Sequence, residues 1–531
     1  MPWFSYDMDT GVLTRGDSET RTFGFPADTT ATPWLVSAST DFRGKTTTYA
    51  YDAKGFVESA IDPLLHVTQW LHEPFAGQTT KITHPAIGTE AARYELFTYF
   101  NATEPYWLTE YRDELNRLTT YTRNPVTHEV LKKEYPDLTY EEWTYNGFGQ
   151  VLTHRLQSGG VESFSYNTIG QKQTYTAAQT GAQPEVTVYT YDTMGRLQTE
   201  TNARSHTTSY LYTPKGDLRR VTYHDAKYVE YAYEDHLQNR TKVTNELGKS
   251  WDYEYDEYRR VKKMTDPLTH MTEYGYDLLY GNGCSSCSVD KKPTWLKLPS
   301  GKLTTYKYDP DGRLQEQTVG FGTPDAATTV RGYDAHGRLT SIKDPLQHET
   351  TFGYDERDRC TRQTDATAFE ILWTFSPVGE VLTVKRGPQV ATVNEYDIMR
   401  RLKKTTDPKL QVTEYLYENA GTRLTMTDPR QKTYITEFGV RGRKKTLTYP
   451  GGSYEEWTYD PAGSVATYRT RAGQVKTSIY DERERETYYS WNDGVTPGRD
   501  DLLPFCRTRE DNADRRDFVG LHLRRRRPAF E

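Results

Sequence analysis

The sequence predicts an all-β fold: a narrow, spiralling antiparallel β-hairpin ribbon. Three observations lead there. An aromatic residue returns at a nearly fixed interval, through Tyr145, Tyr166, Tyr191, Tyr212, Tyr233, Tyr255, Tyr276, Tyr308, Tyr333, Tyr354, Phe375, Tyr396, Tyr417, Phe438, Tyr459 and Tyr480, and from Tyr333 onward every step is twenty-one residues. Turn-forming residues occupy set places between these anchors. No sustained helical apolar period interrupts them, so the repeated region requires no helix.

Each part of the unit has a physical reason. In the clearest units a glycine stands four residues after the anchor, as at Gly195 and Gly337, where a positive φ closes a tight hairpin. A basic and an apolar residue follow, as in Arg196-Leu197 and Arg338-Leu339, and open the outgoing strand. Asp-Pro recurs eleven residues after the anchor, at Asp62-Pro63, Asp266-Pro267, Asp344-Pro345, Asp407-Pro408 and Asp428-Pro429. Aspartate accepts backbone hydrogen bonds and proline fixes φ, so the pair ends that strand. The return strand, such as "HETTFGYD" at 348–355, is rich in threonine and aromatics, with alternate residues suited to opposite faces.

Composition agrees with a thin, partly wet sheet. Of 531 residues 35% are apolar, yet the chain carries 42 tyrosines, 18 phenylalanines and 10 tryptophans. Tyrosine buries its ring while its hydroxyl reaches a partner. Roughly eighteen hairpins would make about thirty-six strands, a strip ~170 Å long and ~20 Å wide. Open twisted sheets rarely exceed about ten strands without curling, so the strip should coil. Scarce Leu, Ile and Met favour a hollow wall over a filled solenoid.

Along the chain, residues 1–40 read as an irregular or partial repeat segment and 41–489 as the repeats. An insertion at 280–300, within the long step from Tyr276 to Tyr308, carries Cys284 and Cys287. Residues 490–531 are non-repeat, and their Arg524–Arg527 run reads as a disordered tail. The net charge of −7, from 74 acidic and 67 basic residues mixed along the chain, gives no support for nucleic-acid binding. No stretch approaches the ~18 apolar residues of a membrane span, and the start shows no export signal.

The stretches "YDTMGRLQTETNARSHTTSYLY" (191–212), "YDPDGRLQEQTV" (308–319) and "YDAHGRLTSIKDPLQHETTFGYD" (333–355) resemble the YD-repeat, or RHS-repeat, family. The resemblance implies a β ribbon wound into part of a YD-repeat shell, as in Rhs polymorphic toxins, Tc toxin shell subunits and teneurins. It makes Tyr191, Asp192, Gly195, Arg196 and Leu197, with Tyr333, Asp334, Gly337, Arg338, Leu339, Asp344, Pro345, Tyr354, Asp407 and Pro408, structural repeat residues. It also implies a secreted or cell-surface location and a noncatalytic scaffold whose partner is a polypeptide cargo or an additional shell segment. After Tyr489 there is no core-ending segment and no effector-sized domain, so the chain reads as a partial shell and no cleavage residues are carried over. The alternatives are an extracellular protein with a carbohydrate or cell-surface partner, and the remnant of a polymorphic toxin with an effector activity.

Local candidates are weighed against the repeat. His66, His206, His270 and His348 each stand fifteen residues after an anchor, which makes them turn positions and not a metal ladder. The repeated aspartates occur too uniformly to form an acid–base pair with separated pKa values. Cys284-Ser-Ser-Cys287 suits a disulfide or free thiols, with redox chemistry and half a zinc site as the other readings. No catalytic, cofactor-binding or metal residue is assigned, and no cofactor is expected.

Overall fold

The computed structural model describes residues 4–7, 12–15, 20–24, 35–41, 43–100, 106–178, 184–234, 236–277 and 292–492. Within them, forty-four strands from Phe4–Asp7 to Glu486–Trp491 join in one sheet. Each strand pairs antiparallel with the next in the chain, so the sheet is a continuous meander. The count exceeds the roughly thirty-six expected from about eighteen hairpins. The ladder reaches upstream of Asp41 through Phe4–Asp7, Val12–Arg15, Thr20–Gly24 and Ala38–Thr40, and the insertion contributes Trp295–Lys297.

Most turns on both edges of the ribbon are of one kind. On the edge that follows the anchors, the YD edge, the Asp192 N–H donates to the Arg196 carbonyl at 2.9 Å and the Gly195 N–H donates to the Asp192 carbonyl at 2.9 Å. On the opposite DP edge, Asp344, His348 and Gln347 repeat those two bonds, each at 2.9 Å. The fourth turn residue has positive φ on both edges, 80° at Gly195 and 70° at Gln347. Glycine is not required at this place on either edge: Leu65, Thr269, Gln347 and Leu410 hold it on the DP edge and Arg259, Asp358, Arg400 and Glu484 on the YD edge, each at a cost of about 1–2 kcal/mol. What the two turns share is the first residue. Oδ1 of Asp344 accepts the N–H groups of Leu346 and His348 at 2.8 and 2.9 Å, and Oδ1 of Asp192 accepts those of Met194 and Arg196 at 2.9 Å.

The anchor aromatic ties one hairpin to the one before it. Pairing of the strands Glu349–Tyr354 and Cys360–Thr364 shifts register between Gly353 and Tyr354, a β-bulge that recurs at almost every anchor. A bulge disrupts the ladder locally. Beside the preceding bulge, the Leu339 carbonyl accepts the Tyr354 hydroxyl at 2.7 Å. Tyr212, Tyr233 and Tyr480 reach Leu197, Leu218 and Val465 in the same way, always fifteen residues back.

Arginine of the Gly-Arg-Leu segment completes the link. Nε of Arg338 donates to Asp334 Oδ2 at 2.6 Å, its Nη1 donates to the Asp355 carbonyl at 3.0 Å, and its guanidinium lies 4.7 Å from the Tyr354 ring centroid. One side chain thus braces its own turn against the next anchor and the next turn. Burial alone would raise the Asp334 carboxyl, but Arg338 and the backbone N–H groups hold it below the usual carboxylate range.

The ribbon then coils onto itself. Residues 237 to 292 apart in sequence hydrogen-bond across neighbouring coils. Between the turns 62–66 and 334–338, which meet in this way, lie twenty-three strands, from Val67–His72 to Ala327–Tyr333. At ~4.8 Å per strand that is a circumference near 110 Å and a diameter near 35 Å, from which an inner side-chain layer of about 5 Å removes too little to fill the bore. Burial agrees: among the described residues the buried apolar side chains are Ala177 and Ala178. One sheet face carries threonine pairs such as Thr190–Thr199 and Thr458–Thr467, each joined at 2.6 Å. The opposite face carries aromatic pairs such as Trp457–Tyr468, with centroids 5.3 Å apart, one register place away from the threonines. No helix among the described residues is long and apolar enough to cross a membrane.

Replacing Tyr354 by phenylalanine should lower the local opening free energy of the turns 334–338 and 355–359 by about 0.5–1.5 kcal/mol, the net worth of one hydrogen bond, as read by amide hydrogen exchange. Tyr354→Ala should lower it further, because the ring over Arg338 is lost as well. Burial pushes the Tyr276 hydroxyl up to about 12, and burial with the Glu162 hydrogen bond does the same for Tyr175. Their contribution to stability is present below the ordinary tyrosine pKa of about 10. It should be lost as pH rises from there through about 12, with tyrosinate absorbance and loss of β circular dichroism rising together.

Candidate functional site

The coil closes along a seam, where DP-edge turns of the first coil meet YD-edge turns of the second. Its contacts are mostly ionic. Nη2 of Arg204 donates to Asp460 Oδ2 at 2.5 Å and Ser464 Oγ at 2.8 Å. Arg483 reaches Glu246 at 2.5 Å and Asp225 at 2.8 Å. Nη1 of Arg117 donates to Glu380 at 3.1 Å, and Nη1 of Arg357 donates to the Glu114 carboxylate at 2.5 and 2.7 Å. Arg441 pairs with Glu185 and Arg43 with Asp311. Side chains of Glu114 and Glu380 are each only 7% exposed, so these charges depend on their partners.

The residues that build the seam follow from turn geometry. His336, Arg357, Arg441 and Arg483 are each the third residue of a YD-edge turn, projecting off the ribbon end. In the first coil the same position holds Phe148, Ile169 and Met194, which are 90%, 74% and 70% exposed. These are the two variable places between Tyr-Asp and Gly-Arg-Leu, and sequence reading passed over them because the repeat does not fix them. The arginines at 357, 441 and 483, against Phe148, Ile169 and Met194 at the same place, were the available signal, diluted by Lys54 and Lys215 in the first half and by Val378, Met399 and Ala462 in the second.

A cleft of about 440 Å³ opens at the seam, lined by Asp62, His84, Glu95, Glu114, Arg357 and Arg400 among others. Two groups there could hold a metal ion: Asp62, His66 and His336, and His84, Glu95 and Glu114. The second is already satisfied within the protein. Nε2 of His84 lies 2.7 Å from Glu95, the Tyr111 hydroxyl donates to Glu95 at 2.7 Å, and Arg357 neutralises Glu114. Burial, then the Glu95 hydrogen bond, holds the Tyr111 hydroxyl well above the ordinary tyrosine range.

The residues singled out from sequence fall into separate places. Tyr191, Asp192, Gly195, Arg196 and Leu197 build a first-coil YD turn away from the seam. Tyr333, Asp334, Gly337, Arg338 and Leu339 build a second-coil turn at the seam, where Arg43 donates to the carbonyls of Asp334 and Ala335 at 2.8 and 3.0 Å. Asp344-Pro345 and Asp407-Pro408 turn the other edge of the second coil. His206 stacks on His224 with centroids 4.8 Å apart, while His270 and His348 lie 3.0 Å from Asp266 and Asp344 of their own turns. Cys284 and Cys287 lie outside the described residues.

The RHS Repeat family model matches residues 235–271 and 333–369. A search of curated proteins returns no match. Among solved structures, that of TcdB2-TccC3 without its hypervariable C-terminal region is 9% identical over 93% of this chain and 36% of its own, with a TM-score of 0.51. TcdB2-TccC3 itself is 13% identical over 92% of this chain and 30% of its own, with a TM-score of 0.50. The chain thus carries RHS repeats, resembles these structures in fold, and spans about a third of their length.

Arg357→Ala strands Glu114, a buried carboxylate, and should open the seam without melting the ribbon. Limited proteolysis should cut near residues 113–117 and 355–359 at least several-fold faster than in the unaltered chain, while the β circular dichroism spectrum is unchanged.

Proposed function

We propose that this chain is a noncatalytic RHS-repeat scaffold, part of a shell that encloses or presents another polypeptide. The observation that carries this reading is the closed coil of twenty-three strands around a bore that its own side chains are too short to fill. A wall whose strand hydrogen bonds are satisfied along its length keeps solvent and proteases away from a client. The fold likeness to TcdB2-TccC3, about a third of whose length this chain spans, supports a role as part of a longer shell.

The partners in this reading are a polypeptide cargo and an additional shell segment. Support for the second comes from the first coil's outer YD edge, where Phe148, Ile169 and Met194 stand exposed in successive turns. A row of exposed apolar side chains marks a surface for contact with another protein, and another coil would cover it. A secreted or cell-surface location goes with the same reading and rests on the family resemblance.

Co-expression with an unfolded, tagged polypeptide tests enclosure. The client should copurify and resist added protease until the seam is opened by Arg357→Ala. A client digested equally fast with and without the chain would overturn the proposal, and binding of glycans by the intact chain in its place would favour a surface-recognition role.

A further inference from the structure

We propose that Asp62, His66 and His336 form a binding site for a divalent transition-metal ion, of which zinc is the simplest example, and that the ion staples the first coil to the second. Asp62 and His66 belong to one DP turn, whereas His336 arrives from the next coil as the third residue of its YD turn. Nδ1 of His66 lies 2.9 Å and Nε2 of His336 lies 2.8 Å from the same Asp62 Oδ2. Tetrahedral zinc with bonds of about 2.0–2.1 Å separates its ligand atoms by about 3.3 Å, so an outward movement of about half an ångström would admit the ion. Two imidazoles and one carboxylate, with the fourth position left to water, are an accepted ligand set for such metals.

Two further observations separate this cluster from an ordinary ion pair. Nε2 of His336 is buried and, despite its short distance to Asp62, has no hydrogen-bond partner. A lone pair held in that way is suited to a metal bond. The ring's other nitrogen, Nδ1, lies 3.0 Å from Asp358 Oδ1, which Arg338 holds at 2.8 Å. A carboxylate behind the ligating imidazole is the usual support of a metal-bound histidine. Asp62 is likewise fixed, since its Oδ1 accepts the N–H groups of Leu64 and His66 at 2.7 and 2.9 Å, leaving Oδ2 for the ion.

The Asp–His pair alone is structural. It recurs at Asp266–His270 and Asp344–His348, exposed, and neither pair belongs to a three-residue metal-ligand cluster among the described residues. Those two pairs are therefore built-in controls, and the inference departs from the expectation that no residue binds metal.

The test uses the full chain with Cys284→Ser and Cys287→Ser, stripped with chelator, so that the CxxC cannot supply the site. Titration with Zn²⁺ followed by calorimetry should show one ion per chain, and Co²⁺ should give the visible absorption of a tetrahedral nitrogen–oxygen site. His336→Ala should abolish both, and Asp358→Asn should weaken Zn²⁺ binding by about 10–100-fold. His270→Ala and His348→Ala should leave binding unchanged, and Zn²⁺ should slow proteolysis at the turn 62–66. Absence of stoichiometric binding, or a site lost equally in His348→Ala, would overturn the proposal. If His336→Ala fails to retain the β spectrum, Asp358→Asn alone decides, and unchanged affinity there overturns it.

Discussion

Most bends of this ribbon lean on one acceptor, the side-chain oxygen of an aspartate or asparagine that opens the turn; Leu156, Leu298 and Gly439 open turns of the same backbone pattern without it. At Asp62, Asp192, Asp344 and Asp407 that oxygen takes two backbone N–H groups that the tight turn would otherwise leave unmet. Asn146, Asn167, Asn202 and Asn245 do the same with an amide oxygen. That anchorage lets Leu65 or Gln347 adopt a positive φ which an unsupported chain would avoid. The second carboxylate oxygen is then free for a cation four residues on: arginine on the YD edge, as in Asp334–Arg338, and histidine at several DP turns, as in Asp344–His348. Turn, strand end and inter-hairpin link are thereby set by a single side chain and its neighbour.

Such a sheet solves the problem of a thin core in an unusual way. Among the described residues it buries only Ala177 and Ala178 of its apolar side chains, so stability is spread over ladder hydrogen bonds, tyrosine hydroxyls on bulge carbonyls, and arginines lying over the next anchor ring. Each contact is modest. Their repetition along more than forty strands is what accumulates. The architecture behaves as a one-dimensional array in which each hairpin depends chiefly on its neighbours, and its width stays constant because both edges use the same turn.

The seam works on a different principle. There the ribbon must find a particular register against itself some 237 to 292 residues away, and ion pairs such as Arg357–Glu114 and Arg117–Glu380 specify that register while contributing little net stability after desolvation. A misregistered coil would bury unpaired charge, which is more costly than leaving the pairs in water. Closure and enclosure therefore rest on a small set of residues outside the repeat's fixed positions.

The order of residues alone sets the all-β class, the hairpin unit and the tendency to coil, because tyrosine spacing, the Gly-Arg-Leu segment and Asp-Pro are local signals read within about twenty residues. It made Gly195 and Gly337 visible as turn residues but hid their counterparts at Leu65 and Gln347, where the first aspartate and not the residue type carries the conformation. It placed His66 in a turn and left His336 unremarked. What brings them within reach of one Asp62 oxygen is the circumference of the coil, which depends on twist summed over twenty-three strands. A small change in twist per strand moves the seam by a whole turn, so no local pattern could announce which residues meet, and only the tertiary structure decided it.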